Sequence, residues 1–198
     1  GVAVKNGTIL RKLALITKKT SSIQSLKDLK GSSLIIDTGN KGDITYLWLE
    51  DLLLHDTLPP SESFFSAISE TTEPAHGIYP VFFGKADACL VTLSSFEVLQ
   101  ELNPQIGKQL YILAESPPLL HTIIAISEHV DSVLKADFEQ AMVKVGESIE
   151  GQQLLTFFKI DKLKLFSSHH LDEIKKLYEE HVSLQQQNTD NPLSQQHP

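Results

Sequence analysis

Short apolar runs alternate along this chain with longer stretches in which apolar residues recur every three or four positions. The runs predict β-strands, and the longer stretches predict helices. The clearest unit is the apolar run at residues 33–37, which a polar turn connects to a helix that carries Tyr46 to Leu54. The predicted strands are residues 12–17, 33–37, 64–68, 88–91, 110–113 and 121–126. The other predicted helices are residues 25–31, 73–84, 95–102, 130–149, 151–158 and 171–182.

Capping and breaking residues mark several ends of these elements. Ser25 is the expected N-cap and Gly31 the expected stop of the first helix, and Pro74 opens the helix at residues 73–84. The double proline at residues 117–118 predicts a stiff joint between the last two strands. Residues 183–198 are rich in Gln, Asn, Ser and Pro, and we expect them to form a mobile, exposed tail.

The alternation of strands and helices predicts an α/β fold in which helices cover both faces of a mostly parallel sheet. Ligands of such sheets bind beyond the carboxyl ends of the strands. The turns that follow the strands are therefore the candidate ligand-binding segments.

Composition excludes one class of partner. The chain has 17 Lys and Arg against 25 Asp and Glu, which gives a formal net charge of -8. A protein that binds the phosphates of nucleic acid needs a basic surface, so no nucleic-acid partner is expected. The single cysteine, Cys89, has no partner for an internal disulfide and lies in an apolar run, where it is expected to be a small buried hydrophobe. No apolar run approaches the roughly 20 residues of a membrane-spanning helix.

The sequence contains no convincing catalytic or metal-binding set. It lacks the Gly-x-Ser-x-Gly turn of serine hydrolases and the Gly-rich loop of nucleotide-binding proteins, and no pair of acids is singled out by its spacing. His169 and His170 are adjacent, but no third metal ligand stands at a recognisable spacing from them. We therefore expect no catalytic residues, no metal and no cofactor, and the chain is predicted not to be an enzyme.

Four segments resemble, in the same order, the solute-binding proteins of the phosphonate and phosphite importer family (PhnD-like). The first is Ser25 to Gly31 with the strand that ends at Asp37. The second is Val81 to Ala88, which contains Gly84-Lys85-Ala86-Asp87-Ala88. The others are Glu115-Ser116-Pro117-Pro118 and Gly151-Gln152-Gln153-Leu154-Leu155 with Phe157. Together they extend from about residue 1 to about residue 180.

The resemblance implies a type II periplasmic-binding-protein fold, in which two lobes with mixed, mostly parallel sheets are joined by two hinge strands. The strands would cross near residues 17–21 and 113–117. One lobe would be complete at residues 20–112, and the other would be built from residues 1–19 and 113–182. The family's first strand–helix units precede the position of Gly1, so this second lobe is expected to be incomplete here.

The resemblance also implies where solute is held. The family binds the oxyanion at a Ser-Thr-Ser run, and aligning Tyr46 with the aromatic residue that follows this run puts Gly42, Asp43 and Ile44 in its place, with Thr45 next. A family histidine falls near Pro74, two residues before His76, and a family acid falls on Thr92. The candidate ligand-binding residues are Asn40, Asp43, Ile44, Thr45, Tyr46, Thr71, Thr72, His76, Thr92 and Ser94.

Two interpretations of this site stay open. A carboxylate at position 43 opposes an anion, which favours a solute with a hydroxyl-rich or cationic part, or a family member that has lost high-affinity uptake. Alternatively, Asp43 or Thr45 only caps the helix that follows.

The predicted function is that of the solute-binding component of an ABC importer. Its partners would be a small-molecule solute and a membrane permease, and its location periplasmic or otherwise extracytoplasmic. The alternatives are the ligand-sensing ectodomain of a signalling protein and, with less support, an enzyme on the same fold.

Overall fold

The computed structural model describes residues 1–39, 42–120 and 122–190. The chain divides into two compact units. The first unit is Gly1–Arg11 with Pro118–Ile174, and the second is Lys12–Pro117 with the chain from Lys175 onward. The chain passes from one unit to the other at residues 11–12, 117–118 and 174–175.

The strands and helices of the described residues have the following bounds. The strands are β1 (Val2–Val4), β2 (Leu10–Arg11), β3 (Leu13–Lys18), β4 (Ser33–Asp37), β5 (Ala67–Thr71), β6 (Ala88–Thr92), β7 (Leu110–Glu115), β8 (Leu119–Leu120) and β9 (Lys162–Lys164). The helices are α1 (Gly42–His55), α2 (Ser61–Phe64), α3 (Pro74–Phe82), α4 (Leu93–Leu102), α5 (Pro104–Gln109), α6 (Ser132–Lys144), α7 (Ile149–Phe157) and α8 (Asp172–Asp190). Short 3₁₀ turns occur at Leu26–Leu29, Val145–Glu147 and Ser168–Leu171.

The second unit is built on a five-stranded mixed sheet. The strand order is β5-β4-β6-β3-β7, in which β4 runs parallel to both β5 and β6. Strand β3 is antiparallel to its two neighbours, β6 and β7. This confirms the α/β class and a mixed sheet.

One face of the sheet is covered by α3, α4 and α5, which bury Ile78, Phe96 and Ile106 against it. Cys89 on β6 is fully buried in this core, as predicted. Burial in these apolar surroundings raises the pKa of its thiol. Helix α3 also approaches the sheet closely at Gly77, where an added Cβ would lie 3.4 Å from a methyl carbon of Val91.

The first unit contains two short antiparallel pairs, β1 with β9 and β2 with β8. Val2, Ala3 and Val4 of β1 are all buried. Helix α6 begins after Asp131, whose carboxylate accepts hydrogen bonds from the backbone N–H groups of Val133 and Leu134 at 2.8 and 3.3 Å.

The first predicted helix has the expected ends, although it is a 3₁₀ turn. Asp28 Oδ2 accepts from the backbone N–H of Ser25 at 2.8 Å and closes the N-terminal end. Gly31 has φ +76°, a left-handed conformation that glycine adopts without strain.

The predicted strand at residues 64–68 is wrong in its position. Phe64 ends α2, and the strand begins at Ala67. The chain turns here because Pro60 precedes α2 and the N–H of Ser61 donates to the Glu50 carboxylate at 3.1 Å. Strand β5 lies at the edge of the sheet and is largely exposed, so it carries no apolar run that periodicity could detect.

The predicted strand at residues 121–126 is also wrong over its described part, residues 122–126. Ile123 forms a single bridge with Val2, and Ile124 and Gly1 exchange two backbone hydrogen bonds of 2.7 and 2.8 Å. The regular strand in this region is β8, at Leu119–Leu120. His121 lies outside the described residues.

The expected mobile tail is helical in its first part, because α8 continues to Asp190. Gln is a good helix former, and extending an existing helix needs no new nucleus. The rest of that tail, residues 191–198, lies outside the described residues. None of the helices in the described part of the chain is long and apolar enough to cross a bilayer.

Candidate functional site

The three parallel strands of the second unit end together at one edge of the sheet. Asp37 at the end of β4 pairs with Thr71 at the end of β5, and Ile36 pairs with Leu90, two residues before the end of β6. We call this the carboxyl edge, formed by the turns that follow Asp37, Thr71 and Thr92. It brings the candidate residues of the second and third turns to one side of the sheet.

The turn after β5 is held to the turn after β4. Thr38 donates from its backbone N–H to the carbonyl oxygen of Thr71 at 3.0 Å. The Thr71 hydroxyl oxygen accepts from the N–H of Glu73 at 3.1 Å, which shapes the entry into α3. Thr72 and His76 are exposed beside this turn and are open to a solute.

The turn after β6 is a helix cap. Thr92 Oγ1 accepts from the backbone N–H of Ser95 at 3.3 Å and lies 2.7 Å from Ser95 Oγ. Ser94 is exposed, and its hydroxyl is 3.5 Å from Thr92 Oγ1. Thr92 therefore has a structural role of its own, while Ser94 presents its side chain to solvent.

The turn before α1 is described in part. Helix α1 begins at Gly42, so Asp43 and Thr45 lie inside its first turn and not at its N-cap. The Thr45 side chain is buried, with 1% of the residue exposed, and Ile44 is half-buried. Contact between the Thr45 hydroxyl and a solute therefore needs a local rearrangement. Asn40 lies outside the described residues, and the structure describes no side chain for Asp43.

Tyr46 lies on the side of α1 that faces β5. Its hydroxyl donates to Glu70 Oε1 at 2.7 Å, and burial together with this acidic neighbour raises its pKa to about 12. Both residues line a cavity of about 1120 Å³ that also contains Glu50 and Glu62. Tyr46 thus lines an acidic cavity beside α1. The structure gives it no contact with the candidate residues Thr92 and Ser94 among the hydrogen bonds described above.

Sequence reasoning missed Thr38, whose N–H links two of the turns. The sequence carries a signal for it, because Thr38 directly follows the predicted strand at residues 33–37, just as the candidate Thr92 follows the predicted strand at residues 88–91.

Two of the three crossings between the units lie next to strand ends at the carboxyl edge, at the start of β3 and after the end of β7. Leu13, the first residue of β3, pairs with Thr92, and Leu93 N–H donates to the carbonyl oxygen of Lys12 at 2.9 Å. Lys12 Nζ lies 3.1 Å from Glu115 Oε2, at the end of β7. Strands β3 and β7, which lie next to these two crossings, therefore pair with each other at the candidate site.

Three helices also begin at the carboxyl edge, because α1, α3 and α4 each follow one of its strands. The unpaired N–H groups and the positive dipole end of a helix N-terminus favour an anion. Hydroxyls in the same turns add hydrogen-bonding groups. The edge is suited to holding a small polar ligand, with an oxyanion toward the helix ends.

A family model for the periplasmic substrate-binding protein of phosphonate ABC transporters matches residues 2–171. No curated protein sequence matches the chain.

Solved structures with the same fold share little sequence with this chain. The protein XAC2383 of Xanthomonas citri, bound to ATP, has a TM-score of 0.73 at 13% identity, over 93% of this chain and 70% of its own. A binding protein component of an ABC phosphonate transporter from Pseudomonas aeruginosa has a TM-score of 0.66 at 18% identity, over 96% of this chain and 64% of its own. PhnD1 of Prochlorococcus marinus, in complex with methylphosphonate, has a TM-score of 0.59 at 14% identity, over 90% of this chain and 69% of its own.

These structures support the type II periplasmic-binding-protein fold that the sequence predicted, and this chain spans 64% to 70% of their length. The family match covers far more than half of the chain. The chain belongs to the family of periplasmic substrate-binding proteins of phosphonate ABC transporters.

Proposed function

We propose that this chain captures a small polar solute at the carboxyl edge of its second unit and delivers it to the membrane permease of an ABC importer. The observation that carries the proposal is the meeting of three strand ends and three helix N-termini at one edge. The family is periplasmic, and we propose the same extracytoplasmic location for this chain.

The solute we propose carries an oxyanion together with a hydroxyl or cationic group. Helix N-termini favour the anionic part, and the exposed hydroxyl of Ser94 adds a donor there. Glu73, an exposed acid at the same edge directly before α3, opposes a solute that is only anionic and favours one that also has an ammonium or hydroxyl group. An aminoalkylphosphonate has both features, whereas methylphosphonate has the first alone.

The test is a thermal-shift screen of the 198-residue chain, followed by calorimetric titration. The probes are 2-aminoethylphosphonate, methylphosphonate, phosphite, an alkanesulfonate and a polyamine. We expect saturable binding, with the aminoalkylphosphonate strongest because it carries both an oxyanion and an ammonium group. Binding raises the Tm, because a ligand at a hundred times its Kd adds about 2.7 kcal/mol to the free energy of unfolding. A screen in which no probe raises the Tm contradicts the proposal.

Site-directed variants locate the binding. Ser94→Ala removes an exposed hydroxyl at the carboxyl edge, and Ser63→Ala removes one on α2, away from that edge. The proposal expects weaker binding for the first variant and unchanged binding for the second. If the two variants bind solute with equal affinity, Ser94 does not contact the solute and the binding site lies elsewhere.

We also propose that binding proceeds without turnover. The family consists of solute-binding proteins rather than catalysts. Phosphorus NMR of a phosphonate incubated with the chain should show the starting compound alone. Appearance of inorganic phosphate or another product would instead indicate an enzyme.

A further inference from the structure

A second cluster of polar side chains lies in the second unit, at the C-terminal end of α1. Asp51 and His55 are one helical turn apart on α1, and Glu180 belongs to α8. One potential ligand atom from each of the three side chains lies within 4.8 Å of the other two. The cluster thus joins residues that are far apart in the sequence and stand on two different helices.

Asp51 is unusual for a carboxylate because only 6% of the residue is exposed. Its Oδ2 lies 3.3 Å from His55 Nδ1, but its buried Oδ1 has no hydrogen-bond partner among the described residues. A buried carboxylate oxygen without a hydrogen bond or a cation is costly, and such groups in native proteins call for an explanation.

His181, the neighbour of Glu180, has the same property. It is 9% exposed, and its Nδ1 is buried without a hydrogen-bond partner in the part of the chain that the structure describes. Its Nε2 lies 2.9 Å from the side-chain nitrogen of Gln185. Gln185 thus occupies the Nε2 side of the ring.

We propose that Asp51, His55 and Glu180 bind a divalent transition-metal ion of the Zn²⁺ type and that this ion ties α8 to α1. Imidazole nitrogen and carboxylate oxygen are both donors that Zn²⁺ takes in proteins, and the two carboxylates together offset the charge of the ion. The imidazole favours Zn²⁺ over Ca²⁺ and Mg²⁺, which prefer oxygen ligands alone.

The three side chains can come close enough together to bind one metal ion. Ligand atoms at about 2.0 to 2.2 Å from Zn²⁺ lie about 3.3 to 3.6 Å apart in a tetrahedron, so the three atoms must move slightly closer together. Asp51 is fixed by burial, but the side chains of His55 and Glu180 are 52% and 46% exposed and have room to adjust. Lys176 Nζ lies 3.8 Å from Glu180 Oε1, an exposed ion pair that a metal ion would displace at little cost.

The test uses the full chain after treatment with a chelator. Zn²⁺ is titrated by calorimetry, and Co²⁺ is added in parallel because its visible absorption reports tetrahedral nitrogen and oxygen ligands. We expect one ion per chain, a rise in Tm with Zn²⁺, and little response to Mg²⁺ or Ca²⁺. No binding of Zn²⁺ at micromolar concentration, or an equal rise in Tm with Mg²⁺, overturns the proposal.

Three variants and a matched control locate the ion. Asp51→Asn, His55→Gln and Glu180→Gln should each weaken Zn²⁺ binding at least tenfold, whereas His129→Ala should not, because His129 is an exposed histidine of the other unit. His55 and Glu180 are exposed, so their variants keep the test valid even if Asp51→Asn unfolds. If His55→Gln and Glu180→Gln both bind Zn²⁺ with wild-type affinity, the proposed site is wrong. None of these measurements involves a solute, so their result is independent of the proposed transport function.

Discussion

Ser33 and Asp87 bind each other reciprocally at the amino ends of β4 and β6. Asp87 Oδ2 accepts from the backbone N–H of Ser33 at 2.8 Å and from its hydroxyl at 2.7 Å. The N–H of Asp87 in turn donates to Ser33 Oγ at 3.1 Å. Asp87 belongs to the segment Gly84-Lys85-Ala86-Asp87-Ala88 through which the sequence resembles its family. In this chain, the acid of that segment aligns two strands at the end opposite the carboxyl edge.

Replacing Asp87 with Ala should destabilise the second unit. The change removes two hydrogen bonds to a carboxylate, and we expect the free energy of unfolding to fall by about 1 to 2 kcal/mol. Urea denaturation measures the loss. Glu97→Ala, which removes an exposed acid of α4 in the same unit, is the control. Equal stability of the two variants would show that the Ser33–Asp87 contact contributes nothing.

Much of this fold follows from local physical chemistry and was predictable. Strand β4 begins and ends at the predicted residues, because its apolar run has turn residues on both sides. Strand β6 ends one residue later than predicted. Edge strand β5 and bridge residue Ile123 were misassigned, because their conformation depends on distant partners and not on a local pattern.

The candidate site was less predictable than the fold. The turns after β5 and β6 could be located, because they follow recognisable strands. The burial of Thr45 and the pairing of Tyr46 with Glu70 depend on how α1 rotates against the sheet, and one sequence does not determine that rotation. The Asp51 cluster was missed for a related reason. The i and i+4 spacing of Asp51 and His55 is visible in the sequence, but their partner Glu180 is brought in by α8.

Thr92 and Thr72 should separate the capping role from contact with a solute. Thr92→Val removes the cap of α4 and should lower the free energy of unfolding by about 1 kcal/mol, whereas Thr92→Ser should retain it. Thr72 is exposed, so Thr72→Val should leave stability unchanged and weaken solute binding about three- to tenfold. Chemical denaturation and calorimetric titration of all three variants give the answer. A large stability loss in Thr72→Val would contradict this division of roles.

Ser116 holds the first residue of strand β3 in place. Its Oγ accepts from the buried N–H of Leu13 at 2.8 Å, and the residue is 3% exposed. Ser116→Ala leaves that N–H without its partner and should reduce the free energy of unfolding by about 1 to 3 kcal/mol. Ser63→Ala, at an exposed hydroxyl, should change it by less than about 0.5 kcal/mol. A Tm for Ser116→Ala equal to that of Ser63→Ala would argue against this role.

Tyr46 makes stability depend on pH in the alkaline range. In the unfolded chain its phenol ionises near the ordinary pKa of 10.0, whereas burial and Glu70 raise the pKa in the folded chain to about 12. The folded state keeps the proton longer, so the free energy of unfolding contributed by this group is constant below pH 10 and falls between pH 10 and about 12.

Tyr46→Phe should remove that part of the alkaline loss. Ultraviolet titration of tyrosinate should show one late-ionising group fewer in this variant. Burial also raises the pKa of Tyr111. Tyr111→Phe is therefore the control, and its titration should still show the late ionisation of Tyr46. Glu70→Gln should shift that phase to lower pH, because it removes the negative charge next to the phenol. If Tyr46→Phe instead lost one phenol from the phase near pH 10 and kept the late phase, the pKa of Tyr46 would not be raised.

Helix α8 crosses from the first unit to the second at residues 174–175, inside its first turn. The other two crossings, at residues 11–12 and 117–118, lie outside the helices. The backbone hydrogen bonds of a continuous helix are already committed, and sharp kinks in it need a local cause. Ile174 and Lys175 are therefore held in the same helical turn, although the one closes the first unit and the other begins the last stretch of the second.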